Sequence, residues 1–368
     1  MAAVALVLLA PAIFSYTTTM LRPSSLPLRV RSVEWLREHH GNWLVDTVER
    51  FYYGWKAPHP GGPPLTALPT VGLPTVAPSA HAHHPSSVWP PPIKPVFRDT
   101  LPGEGIWHKT EPSIDGKPPV LVTTFRPERA YPTIVAYVAW FDHSLTSMAW
   151  YPGRYEPPNA PVRGPMMVPN DQRSRLLATF NGGFTHIDGN NGSSVDGHTN
   201  EPLQDGLATV IGYRDGRVAL QTWTGGPDAG PGIVFARQSL PLIVQNGQLN
   251  PALDNSTQWG FTLGNAIRVW RTGIGIDRYG NLIYAAADYQ TVTTLAEILR
   301  RAGAVNAMQL DINPEWPTLI TYRHDGQLDP VKVVPNYQQP STRYLVPDDR
   351  DFFAVYARVP GPVTVPFG

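Results

Sequence analysis

Residues 270–316 read WRTGIGIDRYGNLIYAAADYQTVTTLAEILRRAGAVNAMQLDINPEW, and this stretch decides the fold. Gly273–Asp277 and Leu282–Ala287 are apolar runs flanking Arg278-Tyr279-Gly280-Asn281, a turn signal between two strands. A helix follows. Thr293 or Thr294 can cap it, Leu295, Ile298, Leu299 and Ala302 mark one face, and Arg300 and Arg301 suit its last turn. Gly303 ends it, and Ala307 to Asp311 reads as the next strand. Working outward, Val120–Phe125 and Thr133–Phe141 are β-rich, and Leu207–Tyr213 and Arg217–Trp223 flank the turn Arg214-Asp215-Gly216. Strands in series with one good helix predict an α+β fold of mixed, strand-rich sheets with few helices. The folded domain is expected over 97–368, long enough for a large core.

The 368 residues contain no cysteine, which excludes a disulfide framework, a cysteine-ligated zinc site and a thiol nucleophile. Lys+Arg and Asp+Glu balance at 29 each, so no global basic field draws the chain to nucleic acid. The 41 prolines are concentrated: 12 fall in residues 56–95, where only Lys56 and Lys94 are charged. Such a segment prefers extended polyproline II, so 56–96 reads as a linker. His81, His83 and His84 lie within it, an incidental cluster or a metal ligand set.

Residues 1–21 carry no charge and are apolar from Ala2 to Phe14 except at Pro11. They read as a membrane anchor, or as a signal segment whose basic start lies upstream of Met1. Arg22, Arg29 and Arg31 follow the run, which by the positive-inside rule opposes export. Residues 22–55 are expected to be an amphipathic helical segment with Gly41 as its weak point. With the stiff linker, this arrangement suits an extracytoplasmic domain held off a membrane.

Three clusters carry side chains that a plain core would not need. Asn181-Gly182-Gly183-Phe184 ends a strand in two glycines, where backbone N–H groups can approach a ligand and Asn181 can add an amide. Arg271 opens an apolar strand, and either pairs with an internal carboxylate or holds an anionic ligand group. Asp311-Ile312-Asn313-Pro314-Glu315 runs from a buried strand into two carboxylates that a turn could bring together; the bland alternative is a capped turn. Asp188 and Asn190 open a polar segment faintly like a calcium loop, though a polar loop over a cleft fits it better. Trp223, Trp259, Trp270 and Trp316 could stack on sugars or simply pack.

Taken in order, these motifs resemble the phosphodiester glycosidase family: Asn181-Gly182-Gly183-Phe184, then Arg271-Thr272-Gly273-Ile274-Gly275, Ala287-Asp288, the helix Thr294–Ala302 and Leu310-Asp311. The similarity covers roughly 175–325. The family has three glycines after the aspartate, whereas this chain has Ile312-Asn313-Pro314, and Pro314 has no N–H to donate. The resemblance implies a glycosidase-like hydrolase acting on a sugar joined through its anomeric carbon to a phosphodiester, or on a related envelope glycan. Asp311 and Glu315 are then the catalytic candidates, and Asn181, Gly182, Gly183, Arg271, Asp288 and Asn313 the substrate-binding ones. No cofactor is called for; a divalent ion between Asp288, Asp311 and Glu315 is the minor alternative. A carbohydrate or sugar-phosphate partner is expected, with no nucleic acid and with a membrane contact through the N-terminal segment. The competing function is a non-catalytic glycan-binding or envelope-organising module on the same fold.

Overall fold

The computed structural model describes residues 2–24, 26–41, 43–45, 47–48, 57–73, 89–110, 112–254, 258–260, 266–335 and 339–359. Its strands begin with β1 (His108–Lys109), β2 (Val120–Phe125), β3 (Ala136–Phe141), β4 (Thr146–Tyr151), β5 (Leu176–Asn181) and β6 (Ser193–Val195). They continue with β7 (His198–Glu201), β8 (Ala208–Tyr213), β9 (Val218–Thr222), β10 (Ile233–Gln238), β11 (Val244–Gln245) and β12 (Gln248–Leu249). The last are β13 (Val269–Asp277), β14 (Leu282–Gln290), β15 (Ala304–Gln309), β16 (Leu319–Asp325), β17 (Gln327–Lys332) and β18 (Phe352–Ala357). The helices include α1 (Ala2–Leu21), α2 (Leu28–Glu38), the single turn α3 (His186–Gly189) and α4 (Val292–Arg301).

An eight-stranded sheet has the order β1-β2-β3-β14-β13-β15-β11-β12, and two five-stranded sheets run β7-β6-β10-β8-β9 and β17-β16-β5-β18-β4. The α+β, strand-rich class is therefore the observed one. Both expected turns form, with Gly216 at φ 81° and Gly280 at φ 93°, the left-handed conformation that glycine adopts without a Cβ clash. The helix starts two to three residues earlier than its sequence signal. Thr291 is the cap, accepting from Thr294 N–H while Thr294 Oγ1 accepts from Thr291 N–H, a reciprocal capping box.

Gly273 and Gly275 explain how α4 lies down on the large sheet. A Cβ at Gly273 would stand 2.8 Å from Leu299 Cδ1, and one at Gly275 would stand 2.7 Å from Ala304 Cβ. Leu295, Ile298 and Leu299 are buried against that face with Ile283 and Ala285, each contributing roughly 1.5–3 kcal/mol. The opposite face of the same sheet carries Ile274, Tyr284 and Met308. It packs on Phe180 and Phe353 of one small sheet and Phe235 of the other. Because side chains alternate along a strand, Arg271 shares the α4 face with Gly273, while Thr272 and Ile274 face the small sheets.

The amphipathic segment breaks near its expected weak point: α2 ends at Glu38, His40 takes φ 63°, and Gly41 N–H donates back to Leu36 O at 2.7 Å. The described ends of the Pro-rich stretch lie against the domain. Ile93 N–H donates to Gly105 O, Trp107 Nε1 to Pro91 O and Leu73 N–H to Lys109 O, with Ile93 and Val71 buried. His81, His83 and His84 lie outside the described residues. Among the described residues, no helix is long and apolar enough to cross a membrane.

Candidate active site

β15 delivers the Asp311 turn to the meeting point of the sheets. Leu310 N–H donates to Thr272 O, Asp311 N–H donates to Gly182 O at 3.2 Å, and Thr272 Oγ1 donates to Asp311 O. Beyond the strand, Asn313 N–H donates to Asp311 Oδ1 at 2.9 Å and Glu315 N–H to Asn313 Oδ1 at 3.0 Å, a double side-chain-capped turn. Asp311 is 8% exposed. Burial pushes its carboxyl up to about 6; Arg350 and the Asn313 amide oppose the shift, and Asp188 and Asp351 add to it.

The sequence-derived candidates do not all gather here. Glu315 lies beside α2, where Arg37 Nη1 stands 4.0 Å from its Oε2. Arg271 lies on the α4 face, and its guanidinium donates to Gln290 O, Gln309 Oε1 and Ile267 O. These bonds brace the sheet edge, and burial depresses the guanidinium to about 10. Asn181 is equally committed. Its Nδ2 donates to Thr272 Oγ1 and Gly182 O, and its Oδ1 accepts from Tyr284 OH and Thr318 N–H, pinning β5 to the large sheet. Gly182 N–H donates to Asp351 O, and a Cβ there would fall 2.1 Å from Asp351 Oδ2, so glycine serves a close side-chain approach. Gly183 sits beside the Arg237 guanidinium, and its N–H makes no hydrogen bond among the described residues. Asp288 is exposed at the end of β14, accepting from Tyr289 N–H. Asn313 spends its oxygen on the turn and is half-buried.

No group of three or more His, Asp or Glu able to hold a metal is gathered among the described residues, so Asp288, Asp311 and Glu315 form no such trio. The polar segment after Asp188 is ordered differently from the loop expected: α3, capped by Thr185, leads into the paired strands β6 and β7. Trp223, Trp259 and Trp316 are buried packing residues.

What joins Asp311 instead comes from chain segments that no motif marked. Arg237 of β10 donates through Nε to Asp351 Oδ2 at 2.8 Å and lies 3.5 Å from Glu156 Oε1. Trp150 Nε1 adds a second donor to Asp351 Oδ2. Arg343 is paired with Asp348 at 2.9 Å, fully buried. Glu156 also accepts from His186 N–H at 2.9 Å. Burial raises its carboxyl to about 7, against Arg237 and Arg350 and with Asp351. One signal existed: Asp348-Asp349-Arg350-Asp351 is a charge run set directly before the apolar strand Phe352–Ala357 in a chain only 16% charged.

Comparison with known proteins bears on this site. Residues 174–311 match the phosphodiester glycosidase family. That match spans the strand end at Asn181, the Arg271 strand, α4 and the aspartate, and it supports the assignment to a glycosidase-like hydrolase class. Among solved structures, the zebrafish N-acetylglucosamine-1-phosphodiester alpha-N-acetylglucosaminidase catalytic domain, auto-inhibited by pro-peptide, is 17% identical with a TM-score of 0.41. The alignment covers 67% of this chain and 86% of that one. A hypothetical protein from Synechocystis is 14% identical with a TM-score of 0.36, covering 64% of each chain. No curated protein matches the chain in sequence.

Proposed function

We propose that the phosphodiester glycosidase-like domain hydrolyses a sugar from a glycosyl phosphodiester, with Asp311 acting at the anomeric carbon. The observation that carries this reading is the Asp311 carboxyl at the end of the matched segment, buried, titrating near 6 and set within the field of Arg350. In the reaction the bond between the anomeric carbon and the phosphate oxygen breaks, and its electron pair leaves with the phosphate. Water supplies hydroxide to the sugar and one proton to a base. A phosphate is a good leaving group, so the demand falls on stabilising an oxocarbenium-like centre and the departing anion. Asp311, ionised above about pH 6, meets the first demand as nucleophile or electrostatic partner.

The second carboxyl we assign is Glu156 rather than Glu315. Glu156 shares Arg237 and Arg350 with Asp311, and burial raises its carboxyl to about 7, which suits a group that donates and accepts a proton. Gly183 N–H and the side-chain Nδ2 of Asn313 are further donors for a ligand. We further propose that the domain works outside the cytoplasm, with α1 as its tether to a membrane. The boundaries 1–21, 22–55, 56–96 and 97–368 serve as its working division.

One observation favours the non-catalytic glycan-binding alternative: Pro314 stands where the family offers a glycine amide, so the anion grip must differ. Hydrolysis of a chromogenic glycosyl phosphodiester by the full chain separates the two. Turnover that disappears in Asp311→Asn supports the enzyme. Glycan binding with no turnover, indifferent to that substitution, supports the module.

A further inference from the structure

The three arginines around the Asp311 turn differ in whether their donors are spent. Arg237 uses all five N–H groups, on Asp351, Asn191 Oδ1, Gln238 O and Phe184 O. Arg343 donates to both Asp348 oxygens and to Trp316 O. Arg350 donates no side-chain hydrogen bond among the described residues. Its only ion pair there is with Glu34 of α2, Nη2 to Oε2 at 3.7 Å, beyond hydrogen-bond reach. The guanidinium lies over the Trp316 indole, 4.9 Å from the ring centroid, and the side chain keeps 18% of its surface open. Burial opposes its charge, but Glu34, Asp311, Glu156 and Asp188 together outweigh that and hold it protonated.

We propose that Arg350 is the anion-binding residue of this site, gripping the phosphate of a glycosyl phosphodiester, and that Glu34 stands in the phosphate's place until α2 moves aside. A planar guanidinium with an open fork matches two phosphate oxygens, and the ring beneath it fixes its plane. The carboxylate that faces it now makes no hydrogen bond to it, so a ligand able to form two outcompetes it. Neighbouring contacts place α2 there as a cover. Leu26 and Val30 bury against Trp316, Arg37 faces Glu315, Arg154 Nη2 donates to Pro23 O at 2.7 Å and Arg22 Nη1 to Tyr155 OH at 3.0 Å. The phosphodiester substrate is taken from the reading above, on which this inference rests; anion binding at Arg350 can be read without turnover.

The test is calorimetric titration of the full-length chain with inorganic phosphate at fixed ionic strength. Glu34→Gln should bind phosphate about tenfold more tightly than the wild type, the size of one charge-assisted contact. Arg350→Gln in that background should abolish the gain, and Arg350→Lys should keep part of it, with melting curves confirming that each variant folds. Phosphate bound by the Glu34→Gln, Arg350→Gln double variant as tightly as by Glu34→Gln overturns the proposal. So does a Glu34→Gln protein that binds no better than the wild type. Parallel hydrolysis assays keep the two readings apart. Phosphate held at Arg350 without any turnover removes the reaction and leaves this assignment. Turnover indifferent to Arg350→Gln removes the assignment and leaves the reaction.

Discussion

The unit β13–α4–β15 and the segment 339–351 meet at the same turn, yet they hold their charges differently. In the first, Arg271 is surrounded by neutral acceptors, Gln290 O, Gln309 Oε1 and Ile267 O, with no carboxylate paired to it among the described residues. In the second, Asp348, Arg343, Asp351 and Arg350 crowd together with Arg237 and Glu156 from elsewhere. The difference separates scaffold from site. A guanidinium whose three nitrogens are all bonded to the surrounding backbone and side chains holds the sheet edges in place, as Arg271 and Arg237 do. A charge left with open donors beside a carboxyl of raised titration is one that a ligand can use, as at Arg350 and Asp311.

The largest effect should come from breaking the saturated network. Arg237→Gln leaves Asp351 and Glu156 buried without their cation. It should cost roughly 3–5 kcal/mol in chemical denaturation, as removal of one partner of a buried pair does. Arg350→Gln, which loses no side-chain hydrogen bond among the described residues, should cost under about 1 kcal/mol by the same measurement. Equal losses would erase the distinction drawn here. In the apolar unit, Leu299→Ala should cost about 2–5 kcal/mol, because the tight approach to Gly273 leaves the cavity little room to collapse.

A smaller effect concerns pH. Asp311 and Glu156 titrate near 6 and 7 in the folded protein, above their ordinary values of 3.8 and 4.5. The native state therefore binds these protons more tightly than the unfolded chain. Their contribution to stability is full below about pH 4 and is lost as pH rises through 6 to 7. Melting temperature should fall between pH 5 and 8, and Asp311→Asn with Glu156→Gln should flatten that decline. An unchanged slope in the double variant would place the titrating groups elsewhere.

The fold was legible where its causes are local. Gly216, Gly280, the Thr-rich cap and Gly303 act within a few residues, so both hairpins sit where their signals put them and the helix within one turn of its own. The position of Asp311 was legible because it closes a buried strand at the end of a recognisable order of motifs. The surroundings of Arg271 were not legible because its face depends on register. Only the pairing of β13 with β15 shows that Thr272, not Arg271, looks towards Asn181. Glu156, Arg237 and Asp351 were missed because their partners are distant in sequence: Trp150 and Asp351, one hydrogen bond apart, are 201 residues apart along the chain. Spacing carries no trace of such a contact. Glu315 looked paired with Asp311, but the capped turn faces the two carboxylates to different neighbours.

The most direct test is turnover of a glycosyl phosphodiester in the Glu34→Gln background, comparing Asp311→Asn with Glu315→Gln. The account predicts that Asp311→Asn lowers kcat by roughly 10³-fold, while Glu315→Gln stays within about threefold of its parent. A dead Glu315→Gln beside an active Asp311→Asn would contradict it.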